Sequence, residues 1–267
     1  LTAAVDCALR AGAAIMSVYR TDFSVETKAD QSPLTKADMA AHNIIKTALE
    51  DAFCFPVLSE EDCDIAYEQR RAWRTFWLVD PLDGTKEFIR KNGEFTVNIA
   101  LVEDSVPTLG VVFAPARKIL YFASPETGAR RIREVETDGV VDVARLLLCA
   151  EAIPVETAAA GLRVVASRSH SNEETESFIA RLEEKYGSAE RVSVGSSLKL
   201  CLVAEGAADA YPRIAPTMEW DTAAADAVVR ATGGRVVNHA DGTPLKYNKP
   251  DLTNPHFVVY NQRLKNA

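Results

Sequence analysis

Phe76-Trp77-Leu78-Val79-Asp80-Pro81-Leu82-Asp83-Gly84-Thr85 is the stretch on which the reading of the fold turns. Four consecutive apolar residues predict a buried strand, and Asp80-Pro81 is expected to halt it. Two carboxylates three residues apart across a proline-stiffened turn can face one point. Gly84 permits close backbone approach and leaves amides free for an anion. That combination suits a hard cation beside a phosphate, although Asp-Pro-Leu-Asp-Gly also reads as an ordinary surface turn.

Outward from this point the periodicity changes. Upstream, Leu1 to Arg20 and a segment opened by Asp38 carry apolar residues at helical spacing, separated by an expected loop from Lys28 to Thr35. A short strand, Phe55 to Leu58, runs into Ser59-Glu60-Glu61-Asp62. Downstream, Phe95–Val102, Thr108–Ala114 and Ile119–Ala123 predict a strand meander, and 127–158 reads as irregular. Strands and helices then alternate: strands at 162–166, 192–194, 208–211, 235–237 and 256–260, and helices at 172–186, 196–205 and 220–232. Ser171 is the expected N-cap of the first of these helices, and Gly233-Gly234 stops the last. Consecutive strands in one part and alternation in the other predict an α+β fold of stacked helix and sheet layers. The expected division is an N-terminal subdomain over 1–150 and a C-terminal one over 151–267.

The 267 residues are 47% hydrophobic, enough for a sizeable core without disulfides. Thirty basic against 38 acidic residues give a net charge of −8, which disfavours a nucleic-acid polymer as partner but leaves room for a small phosphorylated substrate. Five cysteines without a Cys-x-x-Cys pair fit a reduced setting, with Cys7 and Cys201 as small core residues. No run of about 20 apolar residues occurs, and Leu1 to Tyr19 carries Asp6 and Arg10 in place of a signal peptide's basic start. A cytoplasmic protein without a transmembrane segment is expected, peripheral association at a membrane being left open, as is the choice between monomer and homodimer.

Glu60, at a strand end, and Asp221, beside Trp220, would each alone read as a solvated carboxylate; with Asp80 and Asp83 they supply the oxygens Mg²⁺ prefers. Ser59-Glu60-Glu61-Asp62, the run from Trp77 to Phe88, and Trp220-Asp221-Thr222-Ala223-Ala224-Ala225 together resemble the three metal-site motifs of the inositol monophosphatase superfamily, in the same order and at similar separations. The resemblance implies an α-β-α-β-α sugar-phosphatase fold and two Mg²⁺ per site, some members taking a third near Glu60. It implies one ion on Glu60, Asp80 and the Leu82 carbonyl, and a second on Asp80, Asp83 and Asp221. Gly84 and Thr85 would hold the scissile phosphate by their amides, Asp38 would pair with Thr85 to orient the attacking water, and Li⁺ would inhibit.

Ala166-Ser167-Arg168-Ser169-His170, Gly195-Ser196-Ser197-Leu198-Lys199, Tyr211-Pro212-Arg213 and Lys86-Glu87-Phe88 resemble the bisphosphate nucleotidase branch of that superfamily. The implied reaction is hydrolysis of the 3′-phosphate of 3′-phosphoadenosine 5′-phosphate to AMP and phosphate, in sulfur assimilation. Lys199 and Arg213, helped by Ser196, would grip the uncleaved phosphate, and His170 would lie against the adenosine; read singly, the basic residues are ordinary surface charges and His170 a helix-entry residue. An inositol monophosphatase or a fructose-1,6-bisphosphatase is the nearest alternative, and a catalytically silent nucleotide-binding regulator a third reading.

Overall fold

The computed structural model describes residues 1–21, 33–137, 139, 141–155, 161–166 and 172–264. Helices are α1 (Thr2–Tyr19), α2 (Pro33–Ala52), α3 (Tyr67–Arg70), α4 (Thr85–Ile89), α5 (Val143–Leu148), α6 (Glu173–Tyr186), α7 (Leu198–Ala204) and α8 (Ala223–Ala231). Strands β1 (Val57–Ser59), β2 (Thr75–Asp83), β3 (Thr96–Glu103), β4 (Val106–Ala114), β5 (Ile119–Ser124), β6 (Gly128–Ile132) and β7 (Glu151–Ala152) form one sheet in sequence order, antiparallel except for β1 beside β2. The second sheet, ordered β11-β12-β10-β8-β9, is built from β8 (Leu162–Val165), β9 (Ala189–Val192), β10 (Ala210–Arg213), β11 (Arg235–Asn238) and β12 (Phe257–Tyr260).

Period-two alternation explains how the first sheet is covered on both faces. Trp77, Val79, Ile99, Val111 and Phe113 pack with Ala4, Ala8, Ile15, Ala41, Ile45 and Leu49 of α1 and α2. Their neighbours Phe76, Leu78, Ala100, Val112 and Tyr121 face the other way, against Ala224, Val228 and Val229 of α8 and Leu200 and Cys201 of α7. Helices α7 and α8 also contact the second sheet, and α6 covers that sheet's far side. The result is the expected α-β-α-β-α layering. Gly110 permits the closest approach between layers: a Cβ there would lie 2.0 Å from the Ala224 carbonyl oxygen. Cys7 and Cys201 are fully buried.

Several boundaries differ from the sequence reading. Strand β2 does not stop at Asp80 but continues through Pro81 to Asp83, because its register with β3 shifts between Asp80 and Asp83 and the bulge spares proline a ladder bond. Helix α2 starts at Pro33, so Asp38 lies inside it. The stretch read as irregular holds β6, α5 and β7. Asn172 caps α6, its side chain accepting from the Thr175 N–H at 2.8 Å, while Ser171 lies outside the described residues.

Candidate active site

The bulged end of β2 carries Asp80, Leu82 and Asp83. Asp80 is buried to 1% exposure, and its Oδ1 accepts the Leu82 N–H at 3.1 Å, which tightens the turn. Gly84 follows at φ +94°, where a Cβ would also crowd the Glu94 carbonyl oxygen at 3.1 Å and the Ser196 Cβ at 3.2 Å. Helix α4 then opens at the exposed Thr85, its first amides lacking intrahelical acceptors. Glu60 leaves the end of β1, its N–H bonded to the Val79 carbonyl at 3.1 Å. Asp221 sits in the turn before α8, its Oδ2 accepting the Met218 N–H at 2.9 Å.

These carboxylates stand close enough to hold one another's protons. Asp80 is pushed well above the carboxylate range, first by burial and then by Asp83, Glu60 and Asp221. Burial, then Asp83, raises Asp221 to about 7; Glu60 stands at the rim, but its carboxyl loses enough hydration there, with Asp83 as the next cause, to rise to about 6. Asp38 is raised to about 8 by burial and by Glu61, against which it stands. Its Oδ1 is buried without a hydrogen-bond partner, and no bond joins it to Thr85. Among the described residues no three His, Cys, Asp or Glu side chains already close into a metal cage. The donor set nevertheless fits a hard cation: it is all oxygen, and Oδ1 of Asp83 and of Asp221 accept no hydrogen bond among the described residues.

A cavity of about 160 Å³ opens beside them, lined by Asp83, Gly84, Lys86 and Glu87 from the β2–α4 stretch and by Ser196, Ser197, Lys199, Tyr211, Arg213 and Asp221 from the second half of the chain. Lys199 Nζ donates to the Ser196 carbonyl at 3.2 Å and lies 6.0 Å from the Tyr211 ring centre. Arg213 anchors one nitrogen on the Pro216 carbonyl at 3.0 Å, and among the described residues its buried Nε and the Ser196 hydroxyl, on a backbone at φ +48°, have no partner. Such unsatisfied donors are costly unless a ligand takes them. His170 lies outside the described residues.

Sequence reasoning missed the residues that join the two halves of the site. Ser197 donates its N–H to Asp83 Oδ2 at 2.6 Å, and its hydroxyl reaches the same oxygen at 2.8 Å and the Asp221 carbonyl at 2.7 Å. Asn98 on β3 donates to that hydroxyl at 2.8 Å. Behind Trp220, fully buried Glu219 accepts the N–H groups of Asn248 and Lys249 and pairs with the Lys249 ammonium; buried Arg70 clasps Asn248 Oδ1 and the Lys249 and Pro250 carbonyls. The only signal for Ser197 was its place beside Ser196 in a segment already singled out.

A layered α+β fold with a carboxylate cluster beside a cavity that also holds Lys86, Lys199 and Arg213 defines a phosphatase of the metal-dependent sugar-phosphatase kind. The chain matches the inositol monophosphatase family over residues 1–266 and belongs to it. It is 45% identical over 256 residues to the 3′(2′),5′-bisphosphate nucleotidase CysQ of Escherichia coli K12, covering 94% of this chain and 96% of that one. The protein of the same name from Haemophilus influenzae is 36% identical over 259 residues, 94% of this chain and 89% of the relative. The crystal structure of CysQ from Bacteroides thetaiotaomicron superposes with a TM-score of 0.90 at 51% identity over 98% of this chain and 96% of that one. Inositol monophosphatase II of Staphylococcus aureus, at 20% identity and a TM-score of 0.73 over 98% and 91%, shares the fold. Members of this family are generally metal-dependent phosphatases.

Proposed function

We propose that this chain is a 3′(2′),5′-bisphosphate nucleotidase, removing the 3′-phosphate of 3′-phosphoadenosine 5′-phosphate to give AMP and phosphate, in the service of sulfur assimilation. The observation that carries the choice is a pair of cations in the cavity: Lys199 and Arg213 line it together with Gly84, so a substrate held by its scissile phosphate at the Gly84 turn would bring a second phosphate to them. Near-full-length identity of 45% to nucleotidases of that name supports it. Inositol 1-phosphate has no second phosphate for these cations to hold.

Glu60, Asp80, Asp83, Asp221 and the Leu82 carbonyl would hold two Mg²⁺, and a third, where taken as in some family members, would lie near Glu60. The chemistry supplied by bound Mg²⁺ is neutralisation of phosphate charge and a lowered pKa for attacking water. The chain's own groups do the rest. Amides at the Gly84–Thr85 turn hold the phosphate, Asp38 as a carboxylate accepts the proton released by the attacking water beside Thr85, and Lys199, Arg213 and Ser196 hold the uncleaved phosphate. His170 would serve the adenosine. The working division is an N-terminal subdomain over 1–150 with the metal and phosphate motifs and a C-terminal one over 151–267 with Asp221 and the specificity residues, in a cytoplasmic monomer or homodimer. The test is kcat/KM on the bisphosphate nucleotide, inositol 1-phosphate and fructose 1,6-bisphosphate under saturating Mg²⁺: the nucleotide should lead by tenfold or more. A lead for either sugar phosphate refutes the assignment.

A further inference from the structure

Helix α2 carries a polar stripe of which the reaction as described uses only Asp38. Its buried apolar face is Ala37, Ala41, Ile45 and Leu49, each fully buried. One residue further round the helix, Asp38, His42 and Lys46 follow one another at four-residue intervals, stacked on a single face. Each meets a different residue of the Ser59–Asp62 turn. His42 Nδ1 lies 2.8 Å from the Ser59 hydroxyl, Asp38 stands against Glu61, and the Lys46 ammonium pairs with the Asp62 carboxylate. The turn itself closes with the Asp62 N–H on the Ser59 carbonyl at 3.0 Å. Glu60 is therefore held between two anchored ends.

Stability does not account for these contacts. Lys46 and Asp62 are 31% and 47% exposed, and such pairs contribute little to folding. His42 and Ser59 are 5% and 1% exposed in an otherwise apolar layer, where an apolar pair of similar shape would pack as well without desolvating polar groups. What a polar pair provides and an apolar one does not is a fixed distance and direction. Resting on the reading of Glu60 as a metal ligand, we propose that His42 and Lys46 are positioning residues that fix the Ser59–Asp62 turn, and so set the affinity of the cation site, without touching cation or substrate.

The experiment measures Mg²⁺ binding by titration calorimetry, and turnover against Mg²⁺ concentration, for the wild type, His42→Ala, His42→Asn and Lys46→Met. His42→Ala should weaken Mg²⁺ binding about five- to tenfold, the worth of one buried hydrogen bond. Its kcat at saturating Mg²⁺ should stay within about twofold of wild type, because the turn closes once the cation is bound. His42→Asn, which keeps a donor near the place of Nδ1, should recover most of the affinity, and Lys46→Met should lose about two- to threefold. Wild-type Mg²⁺ affinity in His42→Ala, or a lowered melting temperature with no change in affinity, overturns the proposal and leaves a structural role. Should His42→Ala not fold, unchanged affinity in both Lys46→Met and His42→Asn/Lys46→Met overturns it equally. A wild-type protein that binds no Mg²⁺ instead brings down the metal reading, and this proposal with it.

Discussion

Replacing Ser197 by alanine tests how the two halves of the site are joined. The hydroxyl has one proton and two acceptors, Asp83 Oδ2 and the Asp221 carbonyl, and itself accepts from Asn98 Nδ2. Asn98 is 1% exposed and its Oδ1 already lacks a partner, so the substitution strands the whole amide. A buried polar group left unsatisfied costs about 1–3 kcal/mol, and Asp83 keeps the Ser197 N–H at 2.6 Å, so the net loss should be about 2 kcal/mol. For a chain of this size that lowers the melting temperature by about 4–8 °C. Mg²⁺ half-saturation should rise about three- to tenfold, as Asp83 loses the Ser197 hydroxyl and keeps only the Ser197 N–H and the long bond from Thr96 at 3.5 Å. Thermal unfolding with and without Mg²⁺ reads both. The decisive arm is a double-mutant cycle: Asn98→Ala should cost at least about 1 kcal/mol less in the Ser197→Ala background than alone. Additive losses, or an unchanged melting temperature in Ser197→Ala, would refute the link.

Asp80→Asn and Asp221→Asn should each lower turnover by about 100-fold or more while the circular dichroism of the folded protein persists, since a charged ligand becomes a weak neutral one; near wild-type turnover at low Mg²⁺ would contradict the ligand assignment. Lys199→Ala and Arg213→Ala should lower kcat/KM about tenfold on 3′-phosphoadenosine 5′-phosphate and leave inositol 1-phosphate unaffected; equal losses on both substrates would count against a second-phosphate grip. Burial holds Asp38 near 8, Asp221 near 7 and Glu60 near 6, all above their unfolded values, so between roughly pH 4 and 8 the folded chain keeps protons that the unfolded chain has released. The metal-free protein should accordingly lose stability as pH rises through that window, and Mg²⁺ should flatten the slope; a metal-free melting temperature that climbs from pH 5 to 8 would show the sign to be wrong. Gly110→Ala, whose Cβ would meet the Ala224 carbonyl oxygen, should destabilise the fold by about 3 kcal/mol or more in denaturant titration, and a loss under 1 kcal/mol would mean that α8 shifts freely on β4.

The layering was legible because its signals are local. Apolar alternation in β2 to β5 and helical spacing in α1 each lie within one stretch of chain, and the acidic motifs that carry Glu60, Asp80, Asp83 and Asp221 are contiguous runs. What stayed hidden depends on partners far apart in sequence. Asn98 meets Ser197 across 99 positions and Arg70 meets Asn248 across 178, and no periodicity reports such pairs. Strands β6 and β7 were missed because their charged residues do structural work inside: Arg131, buried in β6, pairs with Glu151 and Glu205. Pro81 misled for the opposite reason, since a bulge lets a proline stay within a strand.

The packing of α8 on the first sheet has a consequence for how the chain is made. Strands β2 to β4 are complete by Ala114, yet the helix that covers one of their faces ends only at Ala231. At ordinary synthesis rates the roughly 120 residues between them take about 6–24 s to emerge. Until α7 is made at Leu198–Ala204, Phe76, Leu78, Ala100 and Val112 have no helix to cover them, and the cover is complete only with α8, so the nascent chain passes through a period of exposed sheet surface. Chaperone capture on the ribosome, or aggregation in its absence, belongs to that interval, and any truncation ahead of Ala223 would make it permanent.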